Sequence, residues 1–195
     1  MNYANHATEL GDDLPQNPVL FMKPDSAILK NNKPFYLPDF SERIDYEVEL
    51  IVHISRLGKN IMEKYAHRYY DAVGVGFDFT ARDLQKNVRA FGMPWEITKG
   101  FDGSAVVSEF VSLEQFEKRD FDIRLDINGK TVQKANTRDM LFSIDQIIAY
   151  ASQYFTLKIG DILFTGTPPG IGPLHINDNL QGYLNGRCMI DMLVK

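Results

Sequence analysis

The chain has 195 residues, of which 44% are hydrophobic and 24% charged, so its composition is that of an ordinary globular domain and excludes disorder, collagen-like repeats and coiled coil. Its single cysteine excludes an intrachain disulfide and a cysteine-based metal site. The net charge of −5 and the scattered basic residues argue against nucleic-acid binding, and no apolar run reaches the length of a membrane span. We therefore expect one cytoplasmic domain over residues 1–195.

The N-terminal segment predicts a short helix on a mobile stretch of chain. Residues 3–10 are compatible with a helix, and Gly11, Pro15 and Pro18 then interrupt it. We expect residues 1–18 to form a lid.

Short strands are predicted for most of the remaining chain, because glycine and proline are spread along its whole length. Residues 34–40 contain two prolines and are expected at an edge or in a loop. Alternating or apolar runs predict strands at 19–22, 26–29, 45–54, 72–79, 105–111, 121–127, 131–133 and 161–164, and a hairpin over 180–194. Asn128-Gly129 and Asn185-Gly186 are the predicted hairpin turns.

Two further helices are predicted, one from 81 to about 90 after Thr80 as the cap, and one long helix over 138–155 after Thr137. The long helix carries an apolar stripe that we expect in the core, made of Leu141, Ile144, Ile147, Ile148, Ala151 and Phe155. The fold class is therefore α+β and predominantly β, with one long and several short helices.

Acidic residues alternate along the predicted strand at 45–54. Asp45, Glu47 and Glu49 project from one face, which is either a solvated outer face or a cation site, because like charges at this spacing repel unless a cation screens them. Oxygen ligands favour a hard ion such as Mg²⁺, with Mn²⁺ or Ca²⁺ as alternatives. Asp78, at the end of the next strand, is either a local cap or a third ligand.

Two pairs of polar residues at helical spacing are candidates for substrate binding and proton transfer. Arg82 and Gln85 face the same way and form either a fork for a carboxylate or part of a surface helix on which Arg82 and Asp83 are simply in water. His6 and Glu9 are either an exposed pair or a dyad in which Glu9 orients the imidazole so that it takes a proton from water.

Six segments give the chain a resemblance to a known family. They are NYANHATEL, PVLFMKP, DYEVELIVHI, VGVGFDFTARDLQ, KGFDGSAVVS and GDILFTGTPPGIGPL. Lys99 lies in the fifth and Thr167 in the sixth, where pattern alone would predict a solvated lysine and a turn hydroxyl. In this order, from residue 2 to about 193, the segments resemble the fumarylacetoacetate hydrolase family, in particular its short, single-domain, acylpyruvase-like branch.

The resemblance implies a mixed β-sheet rolled around a core with the long helix outside, and a homodimer. It also implies roles for individual residues: Glu47, Glu49 and Asp78 bind one divalent cation, Asp45 does not, His6 and Glu9 activate water, Lys99 lies beside the metal, and Arg82, Gln85 and Thr167 contact the substrate. Relatives usually carry a strand and a Gly-Arg pair ahead of the Asn-Tyr, whereas this chain starts at Met1-Asn2-Tyr3, so we expect the first family strand to be missing and the lid helix to be less firmly anchored.

The activity implied by the resemblance is that of a Mg²⁺-dependent hydrolase, which cleaves a carbon–carbon bond in acylpyruvate-type 1,3-dioxo acids through an enolate. Its substrate would be a small anionic, enolisable oxo acid, and loop residues such as Trp95 and Ile97 would select the acyl group. The alternatives are an oxaloacetate decarboxylase or tautomerase, a 2-hydroxy-dienoate isomerase of aromatic catabolism, and an inactive metal-binding homologue.

Overall fold

A computed structural model of the chain describes residues 2–11 and 13–195. Its strands are β1 (Ile28–Leu29), β2 (Ile44–Tyr46), β3 (Val48–Ile54), β4 (Tyr70–Asp78), β5 (Thr80–Ala81), β6 (Ala105–Val107), β7 (Val111–Ser112), β8 (Asp122–Ile127), β9 (Lys130–Asn136), β10 (Ile162–Phe164), β11 (Gly172–Pro173), β12 (Asn179–Leu184) and β13 (Arg187–Leu193). Its α-helices are α1 (Ala4–Leu10), α2 (Glu63–Ala66), α3 (Arg82–Ala90), α4 (Glu96–Lys99) and α5 (Ile144–Tyr154). Met1 and Asp12, which belong to the predicted lid segment, lie outside the described residues.

The strands form three sheets that confirm the predicted mixed, mainly β architecture. The largest has the order β1-β6-β4-β3-β10, with β7 also paired to β4, and it is mixed because β1 and β6 are parallel while its other pairs are antiparallel. The second sheet has the order β11-β2-β5, and the third is a meander of order β13-β12-β8-β9.

The core lies between the large sheet and the meander. Alternate residues of β3 and β4, such as Leu50, Val52, Val75 and Phe77, are fully buried. β12 approaches them closely because it carries Gly182, where a Cβ atom would lie 3.0 Å from the ring of Phe77. One face of the large sheet therefore packs against the core. The side chains of Glu49 and Asp78 project from the opposite face.

Both predicted hairpins are present. Asn128-Gly129 joins β8 to β9 and Asn185-Gly186 joins β12 to β13, and all four residues have positive φ, as a type I′ turn requires. The α1 helix is also confirmed, at Ala4–Leu10. Across the described residues, no helix is both long and apolar enough to cross a membrane.

The long helix is shorter than the prediction of 138–155. Ser143 caps α5, because its hydroxyl accepts the N–H of Gln146 while the Gln146 side chain accepts the N–H of Ser143. Thr137 is not the cap: it begins a 3₁₀ turn, and its hydroxyl accepts the N–H of Phe121. The stripe is buried at Ile144, Ile147, Ile148 and Ala151, half-buried at Leu141 and exposed at Phe155.

Five further predictions need correction. Residues 19–22 are not a strand but run along a cleft, and only Ile28–Leu29 of the predicted strand at 26–29 is one. The predicted strand at 105–111 is two separate strands, β6 and β7. The strand predicted over 45–54 divides at Glu47, because β2 pairs with β5 and β11 whereas β3 pairs with β4 and β10. Thr80 lies in β5 and does not cap α3, for which no side-chain cap is found in the described structure.

Candidate active site

A cleft of about 830 Å³ opens between α1, the extended segment 18–25, and the ends of β3 and β4. All of the predicted site residues line it except Glu9. These are His6, Glu47, Glu49, Asp78, Arg82, Gln85, Lys99 and Thr167. The fold therefore gathers residues that are up to 161 positions apart in the chain.

Three carboxylates meet at the floor of the cleft. Glu47 lies between β2 and β3, Glu49 in β3 and Asp78 at the end of β4, and one oxygen of each lies within 4.8 Å of the others. The pairing of β3 with β4 positions them, since Glu49 is opposite Gly76 and the N–H of Asp78 donates to the Glu47 carbonyl oxygen at 2.8 Å. All three side chains are buried, so the interpretation of a solvated outer face is wrong.

The chemistry of this donor set fits a hard divalent cation. Burial, together with the negative charges of Asp78 and Glu47, raises the pKa of Glu49 to about 8, although the Gly166 N–H donates to Glu49 Oε2 at 2.6 Å and lowers it. A bound divalent cation would offset the repulsion among the three carboxylates and allow Glu49 to ionise. Glu47, Glu49 and Asp78 are therefore the residues that would hold it.

Lys99, at the end of α4, is buried among these acids and is not the solvated lysine of the pattern-based alternative. Its Nζ lies 2.8 Å from Glu47 Oε2, 2.7 Å from Asp78 Oδ2 and 2.5 Å from the Thr80 hydroxyl. Burial alone would lower the pKa of Lys99, but Asp78 and Glu47 outweigh it and raise that pKa. The side chain is therefore a fixed positive charge beside the candidate metal site.

A second ammonium group, which our sequence analysis missed, lies on the other side of Asp78. Lys23 Nζ is 2.7 Å from Asp78 Oδ1 and 3.1 Å from both the carbonyl oxygen and the hydroxyl of Ser104, and it also donates to the Lys99 carbonyl oxygen. Burial lowers the pKa of Lys23, while Asp78 opposes that shift. The only signal in the sequence was the PVLFMKP segment, in which we interpreted residues 19–22 as a strand.

Arg82 joins the acidic floor to α3. Its Nε donates to Asp45 Oδ2 at 2.9 Å, its Nη1 to Gln85 Oε1 at 2.6 Å, and its Nη2 to Glu47. Asp45 is also paired with Arg43, which agrees with the prediction that Asp45 is not a metal ligand. The alternative of a surface helix in water is wrong for Arg82, because Arg82 and Gln85 are largely buried; their contact with substrate remains a prediction.

His6 lies on α1 above the acidic floor, with only 3% of its surface exposed. Its Nδ1 is 3.2 Å from Glu9 Oε2, and both oxygens of Glu9 accept the N–H of Gly170, at 3.1 and 3.2 Å. Burial lowers the pKa of His6, and the charges of Glu47 and Glu9 only partly oppose it. The structure thus brings together a neutral imidazole and a carboxylate that fixes its orientation, so the alternative of an exposed pair is wrong for His6.

Asn2 anchors the start of α1. Its side chain donates to the carbonyl oxygens of Phe142 and Thr165, at 2.9 and 2.8 Å, and accepts the Phe142 N–H at 2.7 Å. Its own carbonyl oxygen accepts the Leu141 N–H at 2.8 Å. These four hydrogen bonds fix the position of the chain directly ahead of the helix that carries His6.

The Thr167 hydroxyl serves the loop around it. It donates to the Val48 carbonyl oxygen at 2.9 Å and accepts from Gln133 Nε2, also at 2.9 Å. These bonds match the alternative of a turn hydroxyl, although the residue lines the cleft. A substrate contact by Thr167 stays a prediction.

Aromatic side chains form one wall of the cleft close to Lys99. The rings of Phe21 and Trp95 are 5.7 Å apart, and Lys99 Nζ lies 5.3 Å from the centre of the Phe21 ring. Val19 and Met22 extend the same wall. A bound molecule therefore meets a charged floor with an apolar wall beside it.

Residues 1–190 match the family described as fumarylacetoacetate (FAA) hydrolase, C-terminal. The oxaloacetate tautomerase YcgM of Escherichia coli strain K12 is 37% identical over 190 residues, which cover 96% of this chain and 87% of that protein. A fumarylacetoacetate hydrolase family protein from Yersinia pestis CO92 superimposes with a TM-score of 0.95 at 39% identity, covering 100% of this chain and 89% of the other.

The fumarylpyruvate hydrolase of Pseudomonas aeruginosa, solved in complex with Mn²⁺ and pyruvate, superimposes with a TM-score of 0.93 at 32% identity, covering 99% of this chain and 85% of that one. The family match, the shared fold and the predicted site residues gathered around one cleft lead to the same conclusion. The chain belongs to the fumarylacetoacetate hydrolase family.

Proposed function

We propose that this protein is a divalent-metal-dependent hydrolase that cleaves a carbon–carbon bond in acylpyruvate-type 1,3-dioxo acids, with Mg²⁺ as the cation. The observation that carries the proposal is the buried His6, paired with Glu9, in the same cleft as three convergent carboxylates. The fumarylpyruvate hydrolase complex with Mn²⁺ and pyruvate supports a divalent cation and the class of product. Family membership supports an enzyme.

A cation held by Glu47, Glu49 and Asp78 would supply Lewis-acid stabilisation of the negative charge that develops on a 2-oxo acid. The chain itself adds positive charge at the same place, because Lys99 and Arg82 both lie against Glu47. Preorganised charges of this kind stabilise a transition state without reorganising during the reaction.

His6 is positioned to move the proton. With Nδ1 directed at Glu9, the imidazole carries its hydrogen on that nitrogen, and Nε2 is left to accept a proton from water. The resulting hydroxide attacks the carbonyl carbon of the acyl group, and the bond between that group and the pyruvate portion breaks. The bonding electrons leave with the pyruvate portion as an enolate, which protonation converts to pyruvate.

The aromatic wall supports a substrate with an apolar acyl group. Phe21 and Trp95 stand beside Lys99, so an acyl group bound next to the carboxylate floor would contact their rings. Burying an alkyl or aryl acyl group against such a wall is favourable, whereas burying a second carboxylate there is not.

The first test is cleavage of acetylpyruvate by the purified protein, after chelation with EDTA and again after addition of Mg²⁺. We expect no cleavage with EDTA and full recovery of cleavage with Mg²⁺. Cleavage is measured by the loss of enol absorbance and the appearance of pyruvate. His6→Ala should lower kcat by about 100-fold or more while Mg²⁺ binding, measured by calorimetry, is unchanged.

The matched control is His175→Ala, because His175 is an exposed histidine away from the cleft lining, and it should retain wild-type activity. Wild-type turnover by His6→Ala would contradict the role of His6, and cleavage that is insensitive to EDTA would contradict the metal.

Oxaloacetate tautomerisation is the second candidate, favoured by the E. coli relative of that name, which the chain matches at 37% identity. It would use the same general base, with His6 moving a proton between carbon and oxygen instead of taking one from water. Turnover of acetylpyruvate and of oxaloacetate is measured in parallel, and the larger kcat/KM decides between the two candidates.

Decarboxylation, dienoate isomerisation, a homodimer and a cytoplasmic location stay predictions.

A further inference from the structure

We propose that Lys23 belongs to this site as a fixed charge: its ammonium group, held between Asp78 and the turn after α4, adds the positive charge that lets the cation-loaded site accept a small dianion. The inference rests on the proposed function, because it assumes a cation held by Glu47, Glu49 and Asp78. It concerns a residue to which neither the sequence patterns nor the resemblance gives a role.

The contacts of Lys23 show what its ammonium group fixes. Its Nζ pairs with Asp78 Oδ1 at 2.7 Å, while Lys99 Nζ pairs with Asp78 Oδ2 at the same distance. Each oxygen of this aspartate therefore faces its own ammonium group. The contacts of Lys23 with Ser104 and with the Lys99 carbonyl oxygen extend the same link to the backbone that carries Lys99.

The segment that carries Lys23 is itself packed in place. A Cβ atom on Gly100 would lie 3.0 Å from Pro24 Cδ, so the chain at Pro24 presses against the end of α4. Phe21, on the other side of Lys23, packs against Trp95 at the start of α4. The ammonium group is thus placed by contacts on both sides of it, and its side chain is only 10% exposed.

The charges around the floor define the role of Lys23. Asp45 is paired with Arg43, which leaves the three convergent carboxylates opposite Lys99, Arg82 and one divalent cation. That set has one positive charge in excess, and Lys23 supplies a second. The enolate of a dioxo acid carries two negative charges, so Lys23 raises the affinity for this anion, while the same charge repels the cation at close range.

The test is to measure both affinities in Lys23→Gln, which removes the charge and keeps an amide donor. We expect calorimetry with Mn²⁺ alone to show about tenfold tighter binding, and calorimetry of the Mn²⁺-loaded protein with oxalate to show about tenfold weaker binding. Lys23→Arg, which keeps the charge, should restore both affinities toward wild type. Thermal unfolding of each variant checks that it is folded.

Two controls separate charge from packing. Ser104→Ala removes a neutral partner of Lys23 and should not shift the two affinities in opposite directions. Lys59→Gln alters an exposed lysine and should change neither. Loss of both affinities together in Lys23→Gln, or no change in either, overturns the inference. If the wild-type protein binds no Mn²⁺, the proposed function itself fails.

Discussion

Glu49 keeps its proton to a higher pH than an exposed glutamate does. Its pKa is raised from an ordinary value of 4.5 to about 8, first by burial and then by the charges of Asp78 and Glu47. The folded protein therefore binds more protons at this residue than the unfolded chain does between these two values. It follows that the contribution of Glu49 to stability is present below pH 4.5 and is lost as the pH rises toward 8.

Glu49→Gln is expected to remove this pH dependence. With EDTA present, the variant should be more stable than the wild type at pH 8, by on the order of 3 kcal/mol, and about equally stable near pH 4.5, because the amide cannot ionise. The Gly166 N–H keeps an acceptor in the glutamine oxygen. Urea unfolding at both pH values measures the difference, and the exposed Glu117→Gln should show none.

At the scale of single residues, the candidate site was more predictable than its supporting contacts. Glu49 and Asp78 sit in strands whose alternation fixes where side chains point, Glu47 lies between two such strands, and the resemblance named all three. Lys23 lies in an apolar run flanked by prolines, and its role depends on meeting Asp78 from a segment 55 positions away, which no local pattern encodes.

Between elements, the pairing of β3 with β4 depends on Gly76. This residue is opposite Glu49, and a Cβ atom there would lie 2.6 Å from the ring of Phe164 and 2.7 Å from Ile51 Cγ2. Neither neighbour can withdraw easily, because Ile51 is fully buried and Phe164 lies in β10. The glycine therefore lets side chains of β3 and β10 cross over β4.

Gly76→Ala should destabilise the protein by about 2–4 kcal/mol through this overlap, and should weaken binding of Mg²⁺ because Glu49 is displaced from Asp78. Gly186→Ala is the matched comparison, since its positive φ is strained for alanine but no atom lies within 4 Å, and it should cost about 1 kcal/mol without affecting the cation. Chemical denaturation and calorimetry measure the two effects. Equal losses in both variants would contradict the steric argument.

The elements that the sequence predicted well are those whose signals are local. The Asn-Gly turns fixed two hairpins because both residues tolerate positive φ. The errors came where tertiary contacts decide: residues 19–22 have the composition of a strand but pack against α4 instead, and α5 starts late because Ser143 and Gln146 form the cap.

For the whole molecule, the candidate site draws on six separate stretches of chain. These stretches are 6–9, 23, 47–49, 78–85, 99 and 166–170. A cation bound to the folded protein and not to the unfolded chain shifts the unfolding equilibrium of all of them together.

We expect Mg²⁺ in large excess over its dissociation constant to raise the wild-type Tm by several degrees over the EDTA-treated protein, in a single transition, corresponding to about 3–4 kcal/mol at 100–1,000 times Kd. Glu49→Gln should lose most of this shift. Scanning calorimetry with and without Mg²⁺ measures it, and an equal shift in the variant would contradict the assignment of Glu49 as a ligand.

The paired strands and the irregular segment around the cleft differ in how well they tolerate substitution. Its floor is fixed by hydrogen bonds between β3 and β4, whereas Val19, Phe21 and Met22 extend from a segment that is not part of any sheet. Substitutions in that segment leave the strand pairing intact. If the protein has the proposed function, substitutions at Val19 and Met22 would redirect the same scaffold to other acyl groups, while Phe21, Lys23 and the charged floor are retained.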